Sequence, residues 1–156
     1  LNIDDLVRGV LNMIRMEIDA HRVRVVRRLH VGAAMVEGDR VQLQQVVLNL
    51  ITNALEAMAE TPDEKRELVA TSICEQGEVV VGIRDYGCGI ADDALGRVFD
   101  PFFTTKPSGM GMGLAICRSI VEAHGGSLAA LAKSDGGSEF VFRLPVAKGA
   151  DDTPPP

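Results

Sequence analysis

The sequence predicts a single domain of mixed α and β structure. Three stretches, residues 3–20, 39–59 and 114–124, place apolar side chains at helical spacing. Short β-branched stretches lie between and after them, and four of these form two hairpin-like pairs. The chain has 156 residues, of which 46% are hydrophobic and 24% are charged, so it can build one core. We therefore expect one domain over residues 1–148.

The first helix is expected to begin after Asn2, whose side chain can cap it, and to run to residue 20. Asp4 and Asp5 occupy its first turn, where the helix dipole favours acidic side chains. The β-branched, partly alternating stretch 23–29 predicts a strand, and residues 34–37 predict a short second strand. We interpret four basic residues here as a solvated strand face: Arg22, Arg24, Arg27 and Arg28.

The second helix is expected to run from Asp39, a good N-cap followed three residues later by Gln42, to about residue 59. Asn49, Asn53 and Glu56 lie inside its apolar pattern at offsets that place them on one face. Asparagine is a poor helix former, so two asparagines in line need a reason. These side chains either lie on the solvent-exposed surface or form a polar ridge that faces a ligand. In the second case the ligand could include a hard divalent cation, which amide oxygens suit.

A strand pair is expected at residues 67–75 and 78–84, and its second strand delivers Asp85. Gly87 and Gly89 follow, and glycine permits a positive φ and the close approach of a flat ligand. A carboxylate fixed at such a corner could accept a hydrogen bond from the exocyclic amine of an adenine. The same pattern also fits an Asx-type turn between two elements.

A second glycine-rich run, residues 108–114, leads directly into the third helix, which is expected to end at the glycines after His124. Free N–H groups at a helix N-terminus form an anion site, although a flexible hinge would have similar glycines. Residues 92–98 are expected to form a helical turn. Residues 92–110, with two prolines and little apolar periodicity, are expected to belong to the less stable part of the structure.

A closing hairpin is expected at residues 127–133 and 139–146, and residues 149–156 are expected to be a disordered, proline-rich tail.

The net charge of −6 argues against a nucleic-acid surface. The three cysteines form no CxxC pair, which argues against a zinc site or a disulfide framework. The sequence contains neither a signal peptide nor a long apolar run, so we expect a cytoplasmic domain. The first residue is Leu, which suggests an excised fragment.

Four separated stretches resemble the sequence boxes of sensor histidine kinases. Residues 49–54 resemble the asparagine box, 85–89 the first glycine box, 99–103 the phenylalanine box and 109–114 the second glycine box. Their order and spacing fit the catalytic ATP-binding domain of the nitrogen-regulation and nitrogen-fixation type, within the GHKL superfamily. The resemblance implies an α/β (α+β) two-layer sandwich, with a mixed, mostly antiparallel sheet of about five strands and three main helices on one face.

The resemblance also implies roles for individual residues. Asp85 would accept from the adenine amine, and Ser138 would reach the adenine through water. Asn49 and Asn53 would hold Mg²⁺, while Lys106 and glycine amides would meet the phosphates of ATP. The implied catalytic residues are Asn49, Asn53 and Lys106. The implied cofactor-binding residues are Asn53, Asp85, Gly87, Gly89, Lys106, Gly109, Gly111, Gly113, Leu114 and Ser138. Arg97 is a weaker phosphate candidate, and Phe99, Phe102 and Phe103 would anchor a lid. The resemblance implies that residues 92–110 form this lid, which we expect to be mobile without nucleotide and partly ordered with it.

The implied reaction transfers the γ-phosphoryl group of ATP to a histidine on a separate dimerisation and phosphoacceptor domain. None of the three histidines here stands in a phosphoacceptor pattern. The implied partners are that helical domain and the receiver domain of a response regulator, and the isolated domain is expected to be monomeric. Two alternatives remain, an ATPase that drives a conformational clamp and a non-catalytic nucleotide-binding module. Hydrolytic relatives carry a glutamate as general base where this chain has Asn49, which favours the kinase.

Overall fold

The computed structural model of the chain describes residues 1–91, 93–100 and 113–148. The expected tail, most of the expected lid, including Lys106, Gly109, Phe102 and Phe103, and the adjoining Gly111 lie outside these residues. The helices are α1 (Ile3–Met13), α2 (Arg15–Ala20), α3 (Arg40–Ala57) and α4 (Gly113–Ala123), with a short 3₁₀ helix at Asp63–Lys65. The strands are β1 (Arg24–His30), β2 (Glu67–Glu75), β3 (Glu78–Asp85), β4 (Ser127–Ala132) and β5 (Ser138–Pro145).

The five strands form one mixed sheet in the order β1-β2-β3-β5-β4. β1 runs parallel to β2, and the other three neighbouring pairs are antiparallel. The β2–β3 turn uses Gln76 and Gly77, both at positive φ, as a tight two-residue hairpin requires. The predicted mixed, mostly antiparallel sheet of five strands is confirmed.

One face of the sheet carries the core, because alternate residues of the central strands are buried while their neighbours are more exposed. α3 packs on β2 and β3, and α4 packs on β4, β5 and α3, while α1 packs on α3. Aliphatic side chains fill the space between the layers, as the scarcity of aromatic residues requires. The inward-facing residues of the central strands are Leu68, Ala70, Val79, Val81, Ile83, Phe140, Phe142 and Leu144.

Two sequence predictions near the N-terminus are wrong. The single helix expected over residues 3–20 is interrupted at Ile14, whose φ of −107° and ψ of 21° leave the helical region. Residues 34–37 form neither a strand nor a helix. Their backbone instead pairs irregularly, since Val36 exchanges hydrogen bonds with Leu1, and Ala147 N–H donates to the Met35 carbonyl.

α3 is capped as the sequence predicts, with the Asp39 carboxylate accepting from the Gln42 N–H at 3.0 Å. The end of α4 is tied to this cap by His124. Its Nδ1 lies 2.7 Å from the Ile120 carbonyl oxygen, and its Nε2 accepts from the Asp39 N–H at 3.1 Å. His124 therefore caps the end of α4, and it also joins α4, which begins within the second glycine box, to α3, which carries the asparagine box.

Residues 93–100 form successive turns, with N–H to C=O bonds from Ala94 to Ala91, Arg97 to Ala94 and Asp100 to Arg97. This agrees with the helical turn expected at this position. Phe99 packs edge-to-face on Phe140 with ring centroids 6.1 Å apart, so this residue of the phenylalanine box lies against the core. No helix in the described part of the chain is long and apolar enough to cross a membrane.

Candidate nucleotide site

The site is built around a buried carboxylate at the end of β3. Asp85 is 1% exposed, and its register places it beside Ser138, the first residue of β5. One carboxylate oxygen accepts from the Gly87 N–H at 2.8 Å, and the other accepts from the Ser138 hydroxyl at 3.0 Å. Each oxygen keeps acceptor capacity, so the corner can still receive a ligand N–H group.

Burial raises the pKa of Asp85 above its ordinary value. The Gly87 N–H and the Ser138 hydroxyl oppose this effect, and the Arg84 guanidinium opposes it more weakly. Ser138 was expected to reach the adenine through water, and the structure gives its hydroxyl a direct partner in Asp85. The serine therefore holds the carboxylate for which the resemblance implies an adenine contact.

Two glycines at this corner are required by protein packing. A Cβ on Gly87 would lie 2.2 Å from the Ala57 carbonyl oxygen, and a Cβ on Gly137 would lie 2.0 Å from the Asp85 carbonyl oxygen. The same Ala57 oxygen accepts from the Cys88 N–H at 3.1 Å. Gly87 does not need a positive φ, whereas Gly89 adopts a φ of 76°, as the sequence analysis anticipated for this turn. The loop after Asp85 is thus seated on the C-terminal turn of α3.

The expected polar ridge lies on the same helix. Asn49 and Asn53 are both half-buried on α3, four residues apart and therefore on one face, while Glu56 is exposed. The Asn49 Oδ1 atom accepts from Gln45 Nε2 at 2.8 Å. Its Nδ2 atom lies 3.9 Å from the position that a Cβ would take on Gly113, the first residue of α4. The structure therefore brings the asparagine box against the start of the helix that follows the second glycine box.

Leu114 is partly buried, and its side chain packs against the hydrophobic core. Arg97 is exposed in the turns before the phenylalanine box.

The described residues contain no cluster of three or more His, Cys, Asp or Glu side chains that could hold a metal. An amide pair suits Mg²⁺ that keeps several waters and arrives with phosphate oxygens, as this ion usually does. The residues present therefore fit a nucleotide-borne magnesium ion.

Sequence reasoning did not identify Ala57, Gly137 or Gln45 as parts of the site. Ala57 contributes only a carbonyl oxygen, and no side-chain pattern reports such a contact. Gly137 follows another glycine in a predicted turn, so its specific approach to Asp85 is a tertiary effect. Gln45 precedes Asn49 by four residues, and that i,i+4 spacing was a usable signal.

Comparison with known proteins places this arrangement among ATP-binding domains. Residues 38–148 match the family described as histidine kinase-, DNA gyrase B-, and HSP90-like ATPase. Over 117 residues, which are 74% of this chain, it is 50% identical to the sensor protein FixL of Bradyrhizobium diazoefficiens. Those residues are 23% of FixL, and the chain spans about a quarter of the length of the curated relatives it matches first.

Two solved structures extend the comparison to the fold. The catalytic domain of histidine kinase ThkA has a TM-score of 0.81 and 32% identity, with 93% of each chain covered. Histidine kinase ThkA in complex with the response regulator protein TrrA has a TM-score of 0.80 and 28% identity, covering 98% of this chain and 42% of that chain. The chain belongs to the family of histidine kinase-, DNA gyrase B- and HSP90-like ATPases, and it has the fold of a histidine kinase catalytic domain.

Proposed function

We propose that this domain binds Mg-ATP and transfers the γ-phosphoryl group to a histidine on a separate helical phosphoacceptor domain. The observation that carries the proposal is the buried Asp85 corner, which is seated on the helix that presents Asn49 and Asn53. The fixed carboxylate of Asp85 suits the adenine amine, and the amides of Asn49 and Asn53 suit the magnesium ion that accompanies the phosphates of ATP. The residues proposed to form the adenine end of the site are Asp85, Gly87, Gly89 and Ser138.

The protein groups act by binding and positioning. Asp85 would accept the adenine amine hydrogen bond, with its orientation set by the Ser138 hydroxyl and the Gly87 N–H. The first turn of α4 would direct its free N–H groups, beginning at Gly113, toward the phosphates. Lys106, Gly109 and Gly111 are proposed to complete the phosphate contacts. A magnesium ion bound with the nucleotide would neutralise phosphate charge, and Asn49 and Asn53 are the residues proposed to hold it.

The residue at position 49 favours phosphoryl transfer over hydrolysis. A water nucleophile needs a general base within reach, and a neutral asparagine amide cannot take a proton at neutral pH. The imidazole of an acceptor histidine is already a nucleophile and needs that base less. The response regulator seen with ThkA supports a further proposal, that a receiver domain accepts the phosphoryl group from the histidine.

The proposal is tested by mixing this chain with a helical phosphoacceptor domain from a relative such as FixL and with γ-labelled ATP and Mg²⁺. We expect acid-labile label on the acceptor domain and none on this chain. Asn53→Ala should abolish the transfer while the circular dichroism spectrum stays unchanged, because the change removes the proposed metal ligand. Release of inorganic phosphate without any labelled histidine would contradict the kinase proposal and favour a hydrolytic ATPase.

A further inference from the structure

The amide of Asn49 is enclosed by two different helices. On its own helix, the Gln45 side chain donates from Nε2 to Asn49 Oδ1 at 2.8 Å. On the other side, the Asn49 Nδ2 atom faces the first turn of α4, 3.9 Å from the Cβ position of Gly113. The two ends of this amide therefore have different surroundings, and only the oxygen end meets a hydrogen-bond donor from α3.

Cys117, one turn after Gly113 on α4, supplies a second constraint. Its thiol is completely buried and donates to the Val46 carbonyl oxygen, with the sulfur and oxygen 3.8 Å apart. Burial raises the pKa of the Cys117 thiol to about 11, and a hydrogen bond from the Asn49 side chain opposes that rise. Because the thiol proton is already used by Val46, the sulfur can only accept. It therefore favours the Asn49 nitrogen over the oxygen.

We propose that Gln45 is a positioning residue for Asn49, holding its amide so that the oxygen has one fixed partner and offers its second lone pair to a magnesium ion. This inference rests on the proposed function, since it assigns the orientation of a proposed metal ligand. An asparagine amide has nearly equal ends, and a reversed amide would present N–H groups, which repel a cation. Partners that hold metal-binding side chains commonly change metal affinity by about 10–100-fold when they are removed.

The simpler explanation is that Gln45 and Asn49 form an ordinary surface pair along one helix face. Gln45 is exposed, and pairs at this spacing stabilise helices only slightly. A structural pair of this kind would leave the magnesium dependence of nucleotide binding unchanged. Magnesium dependence therefore separates the positioning role from the structural one.

The experiment compares the wild type with Gln45→Leu and with Gln44→Leu as a matched control. Gln44 lies on the same helix, about 100° around its axis from Gln45, and is half-buried. Affinity for a non-hydrolysable ATP analogue is measured by calorimetry over a range of Mg²⁺ concentrations, and affinity for ADP is measured without metal. In Gln45→Leu we expect the midpoint of the magnesium response to rise about tenfold, with ADP affinity unchanged. Gln44→Leu should behave as the wild type.

A second readout needs no nucleotide. In ¹H–¹⁵N spectra of the free proteins, the Asn49 side-chain amide signals should move toward free-amide positions in Gln45→Leu and stay in place in Gln44→Leu.

An unchanged midpoint in Gln45→Leu, or an equal rise in both leucine variants, would overturn the positioning role while leaving the kinase proposal intact. A wild type that binds the analogue with no response to magnesium would instead contradict the proposed function itself, and the inference with it.

Discussion

Asp85 is an unusual aspartate because both of its oxygens are engaged inside the protein while it remains the proposed contact for a ligand. Replacing it with asparagine converts one oxygen into an N–H donor. In one orientation that donor would face the Gly87 N–H, and in the other it would face the Ser138 hydroxyl and the proposed adenine amine. A buried mispaired group costs about 1–3 kcal/mol. We expect Asp85→Asn to weaken nucleotide binding about tenfold or more in calorimetric titration.

The matched control is Asp135→Asn. Asp135 is an exposed acid in the β4–β5 turn, paired with Arg84 on the strand that carries Asp85. Its loss should leave nucleotide affinity close to that of the wild type, because surface ion pairs contribute little. Equal affinities for the wild type and Asp85→Asn would remove Asp85 from the adenine contact.

Gly87 gives a second prediction at the residue scale. In Gly87→Ala the new methyl group would lie 2.2 Å from the Ala57 carbonyl oxygen, so the loop must leave the C-terminal turn of α3. Overpacking of this kind costs about 1–3 kcal/mol of unfolding free energy. We expect a lower denaturation midpoint together with weaker nucleotide binding, since the displaced loop carries the Gly87 N–H bond to Asp85.

Gly96→Ala serves as the comparison, because no atom of the described residues lies within 4 Å of its added Cβ and its φ is not positive. That variant should match the wild type in stability and in nucleotide affinity. If Gly87→Ala also matched the wild type, the close approach to Ala57 would not constrain the loop.

At the scale of elements, His124 connects the end of α4 to the start of α3. His124→Ala removes the acceptor for the Asp39 N–H and the bond to the Ile120 carbonyl oxygen. We expect a loss of about 1 kcal/mol of unfolding free energy, the usual net value of a hydrogen bond. Chemical denaturation followed by circular dichroism would measure it.

His21→Ala provides the control for this element. The His21 Nδ1 atom lies 2.8 Å from the Glu17 carbonyl oxygen, a contact within its own helix like the one that His124 makes with Ile120. The difference between the two variants therefore estimates the bond between helices. A His21→Ala loss as large as that of His124→Ala would show that the link to Asp39 adds nothing measurable.

Sequence patterns predicted these elements well where the cause is local. The cap at Asp39, the Gln76-Gly77 turn and the strand that ends in Asp85 follow from residue type and spacing. The break at Ile14 does not, because the apolar pattern continues through it. Residues 34–37 have strand-like composition, but their partners are the chain segments at Leu1 and Ala147, which offer no regular ladder.

At the scale of the whole molecule, α3 contacts both ends of the candidate site and so fixes their separation. Ala57 contacts the loop after Asp85, and Asn49 faces the start of α4. These two residues are eight positions apart, or about 12 Å along the helix axis. The four boxes of the sequence predicted residues at both ends of the site. They could not predict that α3 connects these ends, because one of the two contacts is made by the backbone carbonyl of Ala57 and not by a side chain.

This arrangement predicts how nucleotide protection should spread through the described residues. ADP without metal should slow amide hydrogen exchange in residues 85–91, where the proposed adenine contact and the Ala57 link lie. A non-hydrolysable ATP analogue with Mg²⁺ should additionally slow exchange in the first turn of α4, residues 113–117, because its N–H groups would meet the phosphates. The β1 strand, at the far edge of the sheet, should show no change with either ligand. Identical protection of residues 113–117 by both ligands would mean that this turn contacts neither the γ-phosphate nor its magnesium ion.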